Sequence, residues 1–382
     1  MKRIILYTLI IIALIVPQNL YPQMFSGTVD YSLFYDDNPL RQNDGSEEFI
    51  NSAQTRLDFK PFNREFYIFY SGGYDAFKNL DSRNYQNHYL GLNYAFSTSD
   101  SSDENIFTGF NYSIKRGTSD YAVYDFNQLS AFINGTFYLK EDLIFQSAYR
   151  ISYKNFPDLS NLTYTENLGS IGLSKFLPTK TGLFFQSSIG NKNYSTAELL
   201  QTTFTPGMHQ GMGRRGNQEY INSFSITQLR TSFKISQSVF ENTGISAFYI
   251  NRTNLTGTQQ NFQSTELIYS DDSDLWDDPY GFESNEYGLE LTQILAFNVN
   301  AKLSFEYANR HYLNNAADSL NQSGRVDNKT ELWVGVSKVF NSFLFMESFE
   351  AGIEYMYILN QSNSSLFDYR NNLIQVALQF SF

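Results

Sequence analysis

Apolar and polar residues alternate with a period of two in stretch after stretch of this chain, and that pattern limits its fold more than any motif does. In FSGTVDYSLFY, Phe25, Gly27, Val29, Tyr31, Leu33 and Tyr35 share one face, and Ser26, Thr28, Asp30 and Ser32 the other. ITQLRTSFKI sets Leu229, Phe233 and Ile235 against Gln228, Arg230 and Lys234, and NAKLSFEYA sets Leu303, Phe305 and Tyr307 against Lys302, Ser304 and Glu306. Successive side chains of an extended strand point to opposite sides of its sheet, so each stretch is a strand with one apolar, aromatic face and one polar face. Many run to ten residues or more, longer than the usual strand of a soluble sandwich and long enough to cross a bilayer when tilted. Tyr and Phe gather near their ends, as aromatic girdles do at the two membrane interfaces. Only a closed barrel lets strands cross hydrocarbon without an edge of unpaired backbone groups. The expected fold is all-β: a transmembrane, antiparallel, up-and-down β-barrel.

Strands are expected near 25–35, 49–61, 65–77, 85–97, 105–116, 122–139, 143–154, 163–177, 182–195, 219–236, 243–256, 284–297, 299–312, 328–340, 347–360 and 369–382. That is about 16 strands, with 14 or 18 as alternatives, an even number as single-chain bacterial barrels have. Connections alternate between short ones such as PFNR, KED, PTKT and FEN and long ones around 36–48, 196–218, 257–283 and 313–327. Short periplasmic turns and longer outside loops produce that asymmetry.

The N-terminus, MKRIILYTLIIIALIVPQNLYPQ, carries Lys2 and Arg3, an apolar run from Ile4 to Val16 and then Pro17. This is the layout of a cleaved secretory signal peptide over 1–23, leaving 24–382 as a single barrel domain. The chain has no cysteine, which excludes a disulfide framework and a lipidated N-terminal Cys. A net charge of −12 argues against a nucleic-acid partner.

The last residues, LIQVALQFSF, alternate Ile374, Val376, Leu378, Phe380 and Phe382 with polar or small residues. With the signal peptide, this resembles Gram-negative outer-membrane β-barrels, whose final strand ends on an aromatic. The resemblance implies that those five residues are the signal read by the barrel-assembly machinery during biogenesis. DYSLFYDDNPLRQNDGSEEFINSAQTRLDF, Asp30 to Phe59, is similar to the first hairpin of porin-like barrels, in which a strand ending in Tyr-Asp-Asp-Asn precedes a polar loop.

No catalytic constellation is evident. The three histidines, His88, His209 and His311, lie outside any Ser/His/Asp or paired-Asp context, and no HExxH spacing or phosphate-binding glycine loop occurs. The chain is therefore read as a non-enzyme without a cofactor. An acidic loop gathers Asp271, Asp272, Asp274, Asp277, Asp278, Glu283 and Glu286. It departs from the EF-hand pattern. It reads as a solvated outside loop, with a cation or partner site at 271–286 as the sharper alternative, and Trp276 and Tyr280 are placed to fold it back onto the barrel mouth. A glycine-rich segment with Gly207, Gly211, Gly213, Gly216, Arg214 and Arg215 could fold inward and narrow a pore.

With the apolar faces toward lipid, the pore-lining candidates are Arg56, Lys60, Lys115, Arg150, Lys154, Arg230 and Lys234 from early and middle strands, and Glu290, Glu306, Glu350 and Glu354 from late ones. Two opposed sectors of charge would orient dipolar solutes; the plainer arrangement is pairing between neighbours. The function expected is passive diffusion of small hydrophilic solutes or ions across the outer membrane, with membrane lipid as partner and a homo-oligomer compatible with it. The alternative is a non-conducting barrel acting as adhesin, surface scaffold or export subunit. A channel for hydrophobic substrates would need an apolar interior.

Overall fold

The computed structural model describes residues 24–41, 45–61, 65–97, 105–118, 121–195, 197–198, 220–221, 225–256, 278–318, 321–341 and 346–382. The signal-peptide segment, the glycine-rich segment, Trp276 and the acidic residues before Asp278 lie outside the described residues. Sixteen strands form one closed barrel. They are β1 (Phe25–Asp36), β2 (Glu48–Phe59), β3 (Phe66–Phe77), β4 (Tyr85–Ser97), β5 (Asn105–Gly117), β6 (Phe126–Lys140), β7 (Leu143–Asn155) and β8 (Tyr164–Leu177). Then follow β9 (Thr181–Tyr194), β10 (Ser225–Phe240), β11 (Thr243–Thr256), β12 (Glu283–Leu295), β13 (Val299–Asp318), β14 (Asn321–Asn341), β15 (Ser348–Ser362) and β16 (Tyr369–Ser381). Each pairs antiparallel with its neighbours in chain order, and β16 pairs with β1 from Thr28↔Ser381 to Asp36↔Leu373. A separate ladder joins Ala197–Glu198 to Tyr220–Ile221.

The expected loop at 313–327 is instead mostly strand. β13 continues to Asp318 and β14 begins at Asn321, with register shifts after Tyr312 and Ala316. This hairpin extends past its neighbours on the long-loop side. Short turns recur on the rim where β1 begins. One of them, between β12 and β13, places Phe297 and Asn298 at positive φ, the left-handed region that Asn tolerates and Phe rarely adopts.

The two faces are sorted as the alternation requires. Leu90, Ile133, Ile171, Leu289 and Ile353 are exposed on the outer wall. An apolar surface that encircles the molecule has no aqueous equivalent and fits lipid. Here one diagonal contact recurs. Tyr31 donates to Asn51 (2.9 Å), Tyr149 to Asn167 (2.7 Å), Tyr249 to Asn285 (2.7 Å), Tyr307 to Asn328 (2.9 Å) and Tyr355 to Asn372 (2.8 Å). Tyr70 makes the same contact with His88 (2.8 Å). In each, the acceptor lies two residues off the tyrosine's own cross-strand partner, as Tyr31↔Ala53 and Leu33↔Asn51 illustrate. A phenol facing lipid has no water to bond, so the amide supplies the acceptor.

Closure is finished by the terminal aromatic. Gly27 N–H donates to the Phe382 carbonyl at 2.8 Å, and Phe382 N–H donates back to Gly27 at 3.0 Å. A Cβ on Gly27 would lie 2.8 Å from the Phe382 ring, so the glycine leaves the notch in which that ring sits. Gly27→Val is expected to displace the ring at a cost of about 1–3 kcal/mol, the usual range for overpacking. Gel mobility of the folded form as a function of temperature checks this; an unchanged transition would show that the notch does not hold the seam.

Candidate permeation pathway

The strand registers place Arg56, Lys115, Arg150, Lys154, Arg230, Lys234, Glu290, Glu306, Glu350 and Glu354 on the face opposite the exposed apolar one, the inner wall. Two candidates differ from the expectation. Lys60 falls beyond the end of β2, at the short-turn rim, where its N–H donates to Met24. Lys154 is 2% exposed, with its ammonium 3.8 Å from the centre of the Phe126 ring and 5.1 Å from that of Phe156, so it belongs to an aromatic cluster under the outer loops.

The two opposed sectors of charge are not what forms. Arg56 is bidentate to Asp58, Arg150 bonds Glu166 at 3.0 Å, and Arg252 bonds Glu286 at 3.0 Å. Lys234 bonds Glu290, Arg325 bonds Asp327 and Lys329 bonds Glu331. A carboxylate one or two strands away, or two residues away, outcompetes one across the barrel, because attraction falls with distance and with the water between. What pairing leaves over is local. Arg230 lies opposite Arg252 on adjacent strands, and Glu306 lies opposite Glu331. Neither Arg230 nor Glu306 forms an ion pair among the described residues.

The most specific element of the interior comes from the acidic loop. Asp278 caps a single 3-10 turn, Pro279–Gly281, its carboxylate accepting the Tyr280 N–H at 3.1 Å, with Pro279 at the first helical position where a missing N–H costs nothing. Before β12 begins, residues 278–282 cross the inner wall of β8 to β11 just below the barrel mouth. Asp278 forms a buried ion pair with Lys192 of β9 and accepts the Tyr194 hydroxyl at 3.1 Å. The Tyr280 hydroxyl donates to Glu166 of β8 at 2.8 Å. The Gln228 side chain of β10 donates to the carbonyls of Pro279 and Phe282, and Asn254 of β11 donates to that of Tyr280. A Cβ at Gly190 would stand 2.0 Å from the Tyr280 hydroxyl oxygen, so the ring passes where β9 has no side chain. Burial, with Glu166 beside it, pushes the Tyr280 phenol far up, so it stays a donor. This strap takes up part of the mouth on one side.

Of the acidic loop, Asp278, Glu283 and Glu286 are thus engaged: Glu283 accepts the Asn254 N–H at 3.0 Å and Glu286 holds Arg252. No group of three or more potential metal ligands occurs among the described residues. His88 faces outward onto Tyr70, and His311 bonds Asn309 at 2.7 Å.

One part of the inner wall departs from the polar expectation. Tyr67 and Phe69 of β3, Tyr89 of β4, Phe107 of β5 and Phe132 of β6 face inward, each within 5.4–6.2 Å, centroid to centroid, of the next. Their trace in sequence is FYIFY, Phe66 to Tyr70, where alternation lapses because both faces are aromatic.

No protein-family model matches the sequence, and no curated protein does. Solved structures do resemble the fold over nearly its full length. OccAB1 of Acinetobacter baumannii is similar with a TM-score of 0.54 and 8% identity, over 94% of this chain and 96% of that one. OccK8 (OprE) of Pseudomonas aeruginosa is similar with a TM-score of 0.52 and 8% identity, over 94% of this chain and 98% of that one. Both are porin-like outer-membrane barrels. The likeness is one of fold, and the bacterial outer membrane is where such a barrel finds lipid for its apolar wall.

Proposed function

We propose that the protein is a porin-like channel through which small hydrophilic solutes or ions cross the outer membrane by passive diffusion. One observation carries the reading: a closed ring of sixteen strands with a charged inner wall. Barrels of this strand number enclose more volume than their own side chains fill, and the space left is aqueous. The strap and the paired charges of β7 to β12 act on what passes. Arg230 and Arg252 stand beside Glu286 just below the strap, and Glu306 and Glu331 follow on β13 and β14. Solutes entering there exchange part of their water shell for fixed donors and acceptors. The reading involves no bond chemistry and no cofactor.

Single-channel conductance of the refolded protein in a planar bilayer, with the reversal potential under a salt gradient, tests it. Steady conductance is expected. Glu306→Lys turns the remaining acidic pair into a mixed one and is expected to move selectivity several-fold toward anions. Arg150→Glu places two carboxylates side by side with Glu166 and is expected to shift it toward cations. Silence from protein shown to be folded by circular dichroism and gel mobility would overturn the channel in favour of a closed scaffold or adhesin.

A further inference from the structure

We propose that the inner wall of β3 to β6 is a saccharide-binding track, an assignment that rests on the channel reading and names the class of solute the channel favours. Five aromatic residues follow one another without a break. Tyr89 meets Phe69 at 5.4 Å between ring centroids, Phe69 meets Tyr67 at 6.0 Å, Tyr67 meets Phe107 at 6.2 Å, and Phe107 meets Phe132 at 5.7 Å. Adjacent rings are inclined by only 31–38°. The path runs obliquely down the wall, from the upper half of β4 to the lower ends of β3 and β5. All but Phe69 keep a partly exposed face.

Such a surface is costly on the inside of a water-filled barrel. An inward-facing aromatic gains nothing from lipid, and the outer wall already supplies the belt that holds the barrel in the membrane. The rings are also propped rather than sunk into a core. Phe69 leans over Gly91 and Phe132 over Gly109, each within 2.6 Å of where a Cβ would stand, so the strands behind them leave room for the rings to lie flat along the wall. The Arg56 guanidinium lies 4.6 Å above the Phe69 ring, fixed by the two 3.0 Å hydrogen bonds it donates to Asp58.

Flat aromatic faces flanked by an oriented guanidinium–carboxylate pair suit a ligand that is apolar above and below its ring and polar around its rim. A pyranose has that construction: C–H groups on its faces and hydroxyls at its equator. The faces stack on aromatic carbon, and the equatorial hydroxyls bond bidentate Arg and Asp groups. A row of rings, rather than one platform, favours a chain of sugar units that exchanges one contact for the next as it moves.

The test uses the full-length folded protein in a planar bilayer with maltohexaose as probe. Wild-type channels are expected to show resolved, concentration-dependent current blocks. Phe107→Ala and Phe132→Ala are each expected to weaken the block about five- to tenfold, the loss of one stacking contact, while gel mobility stays that of a folded barrel. Conducting channels that ignore maltohexaose would overturn the track and leave the channel reading standing. So would equal block in wild type and both variants, or block by benzoate where the sugar has no effect. If the wild type does not conduct, the channel reading fails, and equilibrium dialysis of the folded protein against labelled maltohexaose decides the track separately. Retention lost in the two variants supports it, and no retention overturns it.

Discussion

Asp278→Ala is expected to detach the strap from the inner wall and raise the open-channel conductance. The aspartate and its Lys192 partner are each 4% exposed, and removing one charge of such a pair leaves the other buried without compensation, typically at about 3–5 kcal/mol. The Tyr194 hydroxyl loses its acceptor and the 3-10 turn its cap in the same change. Gln228, with two bonds, and Asn254 and Glu166, with one each, still hold carbonyls and the phenol, at about 1–2 kcal/mol a bond. Lys192 recovers its hydration once the strap leaves, which pulls the equilibrium toward release. Asp278→Asn keeps the cap without the charge and should fall between the two. Faster hydrogen exchange at the Tyr280 and Gly281 amides, together with larger conductance steps, would establish the release. Conductance and exchange both equal to wild type would refute it. The raised Tyr280 phenol sets the alkaline behaviour. Its contribution is fully present below the ordinary tyrosine value of about 10 and is lost only as pH rises through its elevated value. The strap should therefore stay seated through the neutral range.

Glu48→Ala is expected to open the β3–β4 loop while leaving the barrel closed. The Glu48 side chain is fully buried at the top of β2. Its two oxygens accept four backbone N–H groups: Phe49 at 2.8 Å, Lys78 at 2.9 Å, Asn79 at 2.9 and 3.1 Å, and Leu80 at 2.8 Å. One carboxylate thus does for this loop what a strand ladder would do elsewhere. Truncation leaves Lys78 only the Phe49 carbonyl, at 3.0 Å, and takes the carboxylate from Phe49, Asn79 and Leu80, at about 1–3 kcal/mol for each donor left unpaired that water cannot reach. Exchange at Lys78, Asn79 and Leu80 should accelerate by orders of magnitude, and a protease should find the loop. The Glu48→Gln variant retains an oxygen of the same reach and should recover part of the protection. Unaltered exchange in Glu48→Ala would show that the loop holds itself without the carboxylate.

Most of the barrel could be read in advance because lipid and water impose opposite demands on alternate residues. Where both demands act, as along ITQLRTSFKI, the strand and its facing follow from the letters. Beyond the membrane only one solvent remains. The stretch from Tyr312 to Asp327 mixes polar and apolar residues without sustained alternation and reads as a loop, yet β13 and β14 cover most of it. Backbone pairing continues there without a pattern to announce it. The strap was legible only in part: Tyr280 was placed to fold the loop back onto the barrel mouth, but the anchors beneath it were not. Asp278 and Lys192 are 86 residues apart, and an acidic run in a loop looks solvated until the lysine and the missing side chain at Gly190 are placed beneath it. The interior charges were identified by type, but their partners were not, since Arg252 and Glu166 lay outside the candidates and complete two of the pairs. The aromatic track left a trace in FYIFY, where an interior-facing ring breaks an otherwise regular alternation.

The recurring tyrosine–amide diagonal bears on how the sheet is assembled. Alternation alone tolerates a shift of two residues between neighbouring strands, since every side chain then returns to its proper face. The diagonal does not tolerate it: sliding β8 along β7 by two residues carries Asn167 away from Tyr149, and a phenol is stranded in hydrocarbon. Tyr31, Tyr149, Tyr249, Tyr307 and Tyr355 each sit on the first strand of a hairpin and their amides on the second. Those five hairpins therefore each carry their own check on alignment. A sheet that must count to sixteen and meet itself in the correct frame can do so by verifying two strands at a time.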